Sequence, residues 1–316
     1  VPVKISRVPL LATLAAVVSA VVLLAVMNPL RQPEDVGAFV DAPDPDRTTA
    51  AVVDPGPDGP AGSAPSVRPV PTEAGPSDSP PPGGLPGATS AGTLPPVVDH
   101  GPRTGNKVAL TFDADMTDAM RYQLRSGAVR SYANLKIIDL LEREGVAATF
   151  FLTGKWVEQY PEVTRRLAAS PNFELANHTY GHLAFTGDCY GLPRIERRKM
   201  TGDVADTFDI VAGYGGRQTR YFRFPGLCHD RTALAELAPL GLTVVDGDVV
   251  SGDPFATAWR PIVRAVLDNV RPGSVIVLHV TEANAPMTDE ALPHILAGLA
   301  ERGLEPAALS EVLGTA

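Results

Sequence analysis

Residues 147–182 read AATFFLTGKWVEQYPEVTRRLAASPNFELANHTYGH, and this stretch decides the fold. Its opening, 147–152, is a short apolar run rich in aromatic residues, the pattern of a buried strand. An amphipathic stretch at 161–169 predicts a helix, and 173–177 is a second strand-like run. Repeated strand-then-helix units imply a parallel sheet. Directly after the second run, His178 and His182 stand four residues apart. If the backbone turns helical there, both imidazoles share one face and can reach one metal ion. A catalytic metal site needs a third ligand and an open position for water.

The same alternation runs from Lys107 onward. Further strand candidates lie at 108–112, 220–224, 242–246, 274–279 and, more weakly, 304–309. Helices are expected at 131–144, 194–212, 231–238, 259–270 and 289–302. Gly145, Gly241 and Gly303 follow three of these helices, where a C-terminal glycine is expected. Seven strands over residues 105–316 favour a small barrel, and no internal repeat is present.

Ahead of this domain the composition changes. Residues 8–27 are uncharged and mostly apolar, long enough to span ~30 Å of hydrocarbon as a helix. Lys4 and Arg7 precede the run and acidic residues dominate after it, so the bulk of the chain is expected outside the cytoplasm. An uncleaved membrane anchor and a cleaved signal peptide (1–27) both fit, giving a membrane-anchored or a secreted protein. Residues 28–104 are rich in Pro, Gly, Ser and Ala without hydrophobic period, which predicts a disordered, partly polyproline-II tether. Export lets Cys189 and Cys228 form a disulfide worth roughly 3–4 kcal/mol; two separate buried thiols are the alternative. The net charge of -9 argues against nucleic acid as a partner.

In parallel β/α folds, function collects at the C-terminal ends of the strands. There this chain places Asp113 and Asp115, His178 and His182, Arg223, Asp246, Asp248 and Asp253, and His279. A lone Asp at a strand end is ordinarily a helix cap, and a lone His after a core strand is ordinarily a hydrogen-bonded one. Their joint arrival at one rim points to a site.

The blocks LTFDAD, NHTYGH, RFPG, VVSGDP and VIVLH, in that order, resemble the five motifs of the NodB-homology polysaccharide deacetylases, carbohydrate esterase family four. The stretches ATFFLTGKWVEQYPE and RPGSVIVLH…LPHILAGLAERGLE are similar to that family too. The resemblance covers about residue 105 to the C-terminus. It implies a distorted (β/α)7-type barrel that removes acetyl groups from sugars by metal-bound water. Carried over by position, it makes His178 and His182 metal ligands and Asp113 the general base. His279 becomes the general acid, Asp253 its partner, and Arg223 the residue that orients Asp113.

Two departures stand out. The family's first motif has consecutive aspartates, the second being a metal ligand; here Ala114 holds that position and Asp115 follows. Asp115 is expected to replace it, since two imidazoles alone leave a dication's charge unmatched. Pro254 stands where the family has a Trp that helps line the acetyl pocket. Zinc is the default ion for two imidazoles and a carboxylate, with cobalt, manganese or nickel as alternatives. The substrate implied is peptidoglycan or another N-acetylated cell-wall glycan. A catalytically weakened glycan-binding module on the same fold is the rival reading. A two-histidine-one-carboxylate iron oxygenase shares the ligand types but not the motif order.

Overall fold

The computed structural model of the chain describes residues 84–315. The apolar segment at 8–27 and the tether up to residue 83 lie outside the described residues. Among the described residues, no helix is long and apolar enough to cross a membrane.

The chain enters through β1 (Val97–Val98) and β2 (Lys107–Ala114), followed by α1 (Asp118–Arg125) and α2 (Leu135–Arg143). Then come β3 (Ala148–Leu152), α3 (Gly154–Gln159), α4 (Pro161–Ala169), β4 (Phe173–Asn177) and α5 (Met200–Ala212). The third stretch holds β5 (Arg217–Phe222), α6 (Arg231–Leu237), β6 (Thr243–Val245), β7 (Val249–Val250) and α7 (Trp259–Leu267). The last comprises β8 (Val275–His279), α8 (Thr288–Glu301), β9 (Glu305–Ala307) and α9 (Leu309–Leu313).

All strand pairs are parallel, in the order β1-β6-β5-β4-β3-β2-β8-β7, with β9 also paired to β2. The sheet curls, and a bridge between His100 and Ser274 ties the segment after β1 to the residue before β8. This curled parallel α/β sheet fits the expected (β/α)7-type barrel.

Period-two alternation divides each strand between two cores. Along β2, Val108, Leu110, Phe112 and Ala114 belong to the large cluster that also takes Ile137 and Leu141 of α2 and Leu292 and Ile295 of α8. Ala109 belongs to a second cluster with Phe151, Ala176, Tyr221, Val245 and Val275, closed by Leu309 and Val312 of α9. Asp113 and Asp115 fall in step with Ala109, on the face that opens toward the C-terminal rim.

Several boundaries differ from the sequence reading. The fourth strand is Arg217–Phe222, so Arg223 lies just past its end rather than inside it. The long helix expected from 194 begins only at Met200, after a 3-10 turn at Arg197–Lys199. The weak strand at 304–309 splits into β9 and the start of α9. Residues 84–104, expected as tether, instead line the sheet edge. There Pro86 O accepts from Arg220 N, Gly87 O from Thr243 Oγ1, and Pro96 O from Val244 N.

Candidate active site

The strand register sets Asp113 beside His279 on adjacent strands β2 and β8. His178 follows β4 directly and its amide donates to Leu152 O, while Arg223 N donates to Asn177 O. Asp113, Asp115, His178, His182, Asp253 and His279 thereby line one cavity of about 230 Å³. Arg223 stands behind it, fully buried.

The histidine pair reaches this cavity without a helix, which corrects the helical geometry entertained from the spacing. Residues 178–183 form an irregular loop, and Thr179 (φ 72°) and His182 (φ 54°) occupy the left-handed region. Non-glycine residues there cost of order 1–3 kcal/mol each, so the surroundings must hold them. They do. Asn177 Oδ1 accepts from Thr179 N at 2.9 Å, and Thr179 Oγ1 accepts from His182 N at 3.0 Å. Asp203 Oδ1 accepts from Tyr180 N at 2.8 Å, and the first amides of α3 donate to Thr179 O and Tyr180 O. The two imidazole centroids end 5.0 Å apart.

His178 Nδ1 sits 2.9 Å from Arg223 O, a carbonyl that can only accept, so Nδ1 carries the proton and Nε2 presents a lone pair to the cavity. That Nε2 lies 3.5 Å from Asp115 Oδ1, and His182 Nε2 lies 3.3 Å from the same oxygen. Among the described residues, nothing donates a hydrogen bond to the buried Asp115 Oδ1. The Asp115 oxygen and the His178 lone pair are two acceptors facing each other, an arrangement that a proton or cation between them relieves. One oxygen and two imidazole nitrogens within 4.8 Å of one another match the donor set of a three-ligand divalent site. The structure thus sets Asp115, one residue past Ala114, with the two histidines. Thr281 fixes that backbone, its Oγ1 accepting from Asp115 N at 3.1 Å and donating to Asp113 O.

Burial alone would push the Asp115 carboxyl up, but His182, His279 and His178 outweigh it and hold it well below the usual carboxylate range. Burial pushes the His182 imidazole down to about 4 against the pull of Asp115, leaving it neutral and ligand-competent near pH 7.

Asp113 is set apart from the ligand cluster. Arg223 Nη1 donates to Asp113 Oδ1 at 2.6 Å, while Nε donates to Val245 O and the guanidinium lies 4.0 Å over the Phe151 ring. The free Oδ2 is 3.7 Å from His178 Nε2. Opposite, His279 Nδ1 meets Asp253 Oδ1 at 2.8 Å, so the ring turns Nε2 toward the cavity, 3.9 Å from Asp115. Burial opposes charge on His279, yet the Asp253 and Asp115 carboxylates outweigh it and raise the imidazole to about 10. Asp253 is itself held by Ser251 Oγ, Thr288 Oγ1 and His279 N.

Thr281 and Thr288 carried no distinguishing signal in the sequence, and Ser251 was present only as part of the VVSGDP block. Asp246 and Asp248 lie outside the ligand cluster. Asp246 pairs with His229 at 3.0 Å, and Asp248 with Arg103 at 2.7 Å while accepting from Val275 N. Cys189 and Cys228 are joined as a disulfide with Cα atoms 6.0 Å apart.

A family model described as polysaccharide deacetylase matches residues 100–245. A chitooligosaccharide deacetylase of Sinorhizobium fredii is 30% identical over 178 residues, covering 53% of this chain and 80% of that protein. The chain belongs to the polysaccharide deacetylase family. As a member it is a hydrolase acting on carbon–nitrogen bonds. This deacetylase is also similar to a peptidoglycan-N-acetylglucosamine deacetylase of Bacillus cereus, at 26% identity over 200 residues, 62% of this chain and 65% of that one. The fold matches that of a carbohydrate esterase family 4 pseudoenzyme of Bacillus anthracis, with a TM-score of 0.55 at 20% identity over 69% of each chain. That likeness concerns the fold alone.

Proposed function

We propose that the chain is a metal-dependent deacetylase of an N-acetylated, extracytoplasmic polysaccharide. The observation that carries this reading is the orphaned Asp115 Oδ1 facing the Nε2 atoms of His178 and His182 beside Asp113 and His279. Asp115, His178 and His182 would hold the ion, zinc being the default for this donor set. When bound, such an ion supplies a Lewis acid that polarises the acyl oxygen and acidifies water.

The chain's own residues do the rest. Asp113 takes a proton from the attacking water at its free Oδ2, while Arg223 on Oδ1 fixes the carboxylate's orientation. His279 keeps Nδ1 against Asp253 and delivers a proton from Nε2 to the departing amine nitrogen as the C–N bond breaks. Part of the pull that raises His279 comes from Asp115, and it weakens once that carboxylate is neutralised.

Relatives named for chitooligosaccharide and peptidoglycan support an N-acetylglucosamine-containing substrate. The apolar run at 8–27 and the Cys189–Cys228 disulfide support a place outside the cytoplasm. The rival binding module needs a lost ligand or acid–base pair; Asp113, Asp115, His178, His182 and His279 all line the cavity, which supports the enzyme over that rival.

Acetate release from N-acetylated peptidoglycan and chito-oligosaccharides, before and after chelation, tests the reading. Release that stops with chelator and returns with zinc is the expected result. No release from any acetylated glycan by the metal-loaded protein would leave the binding module as the better account.

A further inference from the structure

Two large aromatic side chains are left in water at the mouth of the cavity. Tyr190 is 73% exposed and Phe255 is 75% exposed, although most aromatic side chains of the domain are buried. They come from separate loops, meet with ring centroids 5.9 Å apart, and both line the cavity that holds Asp115. Leaving that much apolar area in solvent forgoes burial energy, which marks a surface that meets a partner.

The structure also holds Tyr190 in place. The residue lies in the left-handed region (φ 52°), next to Cys189, whose disulfide to Cys228 ties the loop to the segment after β5. Beneath it is Gly226 (φ 62°), where a Cβ would come within 2.7 Å of Cys189 Sγ and 2.9 Å of the Tyr190 ring. Only glycine lets the loop rest there. On the other side, Phe255 ends a 3-10 turn that starts at Asp253, so its backbone is fixed to the partner of His279. Backbone strain, a close-approach glycine and a covalent tie converge on one exposed ring, which is a costly way to hold an idle side chain.

The chemistry of the walls identifies the occupant. Among the described residues, no Lys or Arg lines the cavity, and its carboxylates Asp113, Asp115 and Asp253 are buried at its base. The one cationic side chain among the described lining residues, His279, lies at the base and is already paired with Asp253, so an anionic ligand would find no side-chain counter-charge at the aromatic mouth. Flat aromatic faces suit the C–H face of an uncharged pyranose, which is apolar above the ring and hydroxylated at its edge.

We propose that Tyr190 and Phe255 form a clamp that stacks on an uncharged pyranose ring of an oligosaccharide, adjoining the sugar whose acyl group enters the cavity. The Cys189–Cys228 disulfide holds the Tyr190 side of the clamp. This rests on the deacetylase reading of the same cavity, and it makes Tyr190 and Phe255 determinants of preference for chains over single sugars.

The test is calorimetric binding of penta-N-acetylchitopentaose, xylopentaose and the monosaccharide N-acetylglucosamine to wild type, Tyr190→Phe, Tyr190→Ala and Phe255→Ala, with folding checked by circular dichroism. Wild type should bind at least one pentasaccharide more tightly than the monosaccharide. Each alanine variant should lose about tenfold in pentasaccharide affinity, the order of one stacked aromatic contact. Tyr190→Phe should retain binding, because stacking uses the ring and not the hydroxyl. The clamp is overturned if wild type binds neither pentasaccharide, or if both alanine variants bind as tightly as wild type. Clamp-dependent binding without acetate release from any oligosaccharide would uphold the clamp while refuting the deacetylase reading.

Discussion

Asp253→Asn removes one charge and almost no volume from a side chain that is 1% exposed. The carboxylate accepts four hydrogen bonds. Oδ1 takes Ser251 Oγ and His279 Nδ1, both at 2.8 Å, and Oδ2 takes Thr288 Oγ1 at 2.7 Å and His279 N at 2.8 Å. An asparagine keeps one oxygen and turns an NH2 group toward two of these donors. A hydroxyl can rotate to accept, but His279 N cannot, and the ring nitrogen can accept only by giving up its proton. An unpaired buried donor costs ~1–3 kcal/mol, and loss of the charge from the remaining bonds brings the total to about 2–4 kcal/mol. For a domain of this size each kcal/mol lowers Tm by about 2–4 °C, so thermal unfolding should shift by about 5–15 °C.

The same change removes the first of the carboxylates that raise His279, while the burial that opposes its charge remains. Less imidazolium is then present near pH 7, and proton delivery to the leaving amine should fall by ~10²–10⁴-fold. Activity lost to a deprotonated acid should recover in part as pH falls. Circular dichroism melts, zinc content and acetate release between about pH 5 and 9 follow all three effects. A variant that melts within about 2 °C of wild type and keeps its turnover would mean that Asp253 neither holds the loop nor charges His279.

Asp113→Asn should abolish acetate release with metal content near wild type, since Arg223 holds Asp113 Oδ1 and the residue lies outside the group of Asp115, His178 and His182; metal loss would make Asp113 a ligand. Asp203 gives a pH-dependent stability. Burial raises its carboxyl to about 6, against the pull of the Tyr180 and Gly181 amides. The folded state thus holds the proton more tightly than the unfolded chain. The group's contribution is full below its unfolded value of 3.8 and is lost as pH rises through about 6. A difference of that size corresponds to ~3 kcal/mol. Asp203→Asn should remove this slope from urea unfolding measured between about pH 4 and 7, and identical slopes in the two proteins would contradict it.

Strands such as Phe173–Asn177 and Val275–His279 were legible because each is a buried, largely apolar run bounded by turn residues, whereas the polar start of β5, residues 217–220, blurred its bounds. Two-residue strands such as β1 and β7 carry no periodicity, and their existence depends on the neighbours β6 and β8. Composition also misplaced residues 84–104. A Pro/Gly-rich segment cannot build a core, yet carbonyls of Pro86 and Pro96 can accept hydrogen bonds along an existing sheet edge. Asp113, Asp115, His178, His182, Arg223, Asp253 and His279 were all legible at strand ends. The helical reading of the histidine spacing failed because four-residue spacing constrains distance along the chain, whereas the loop path is set by Asn177, Thr179 and Asp203. Tyr190 and Phe255 gave no signal, since an exposed aromatic in a loop looks like any other loop residue until its neighbours are known.

The central claim is that Asp115 supplies the carboxylate that Ala114 lacks. Crystals of the protein soaked in zinc, with diffraction measured across the zinc edge, test it most directly. One anomalous peak is expected within bonding distance, ~2.0–2.2 Å, of an Asp115 oxygen and the Nε2 atoms of His178 and His182. A peak bound by Asp113 in place of Asp115, or no peak at the histidine pair, would contradict it.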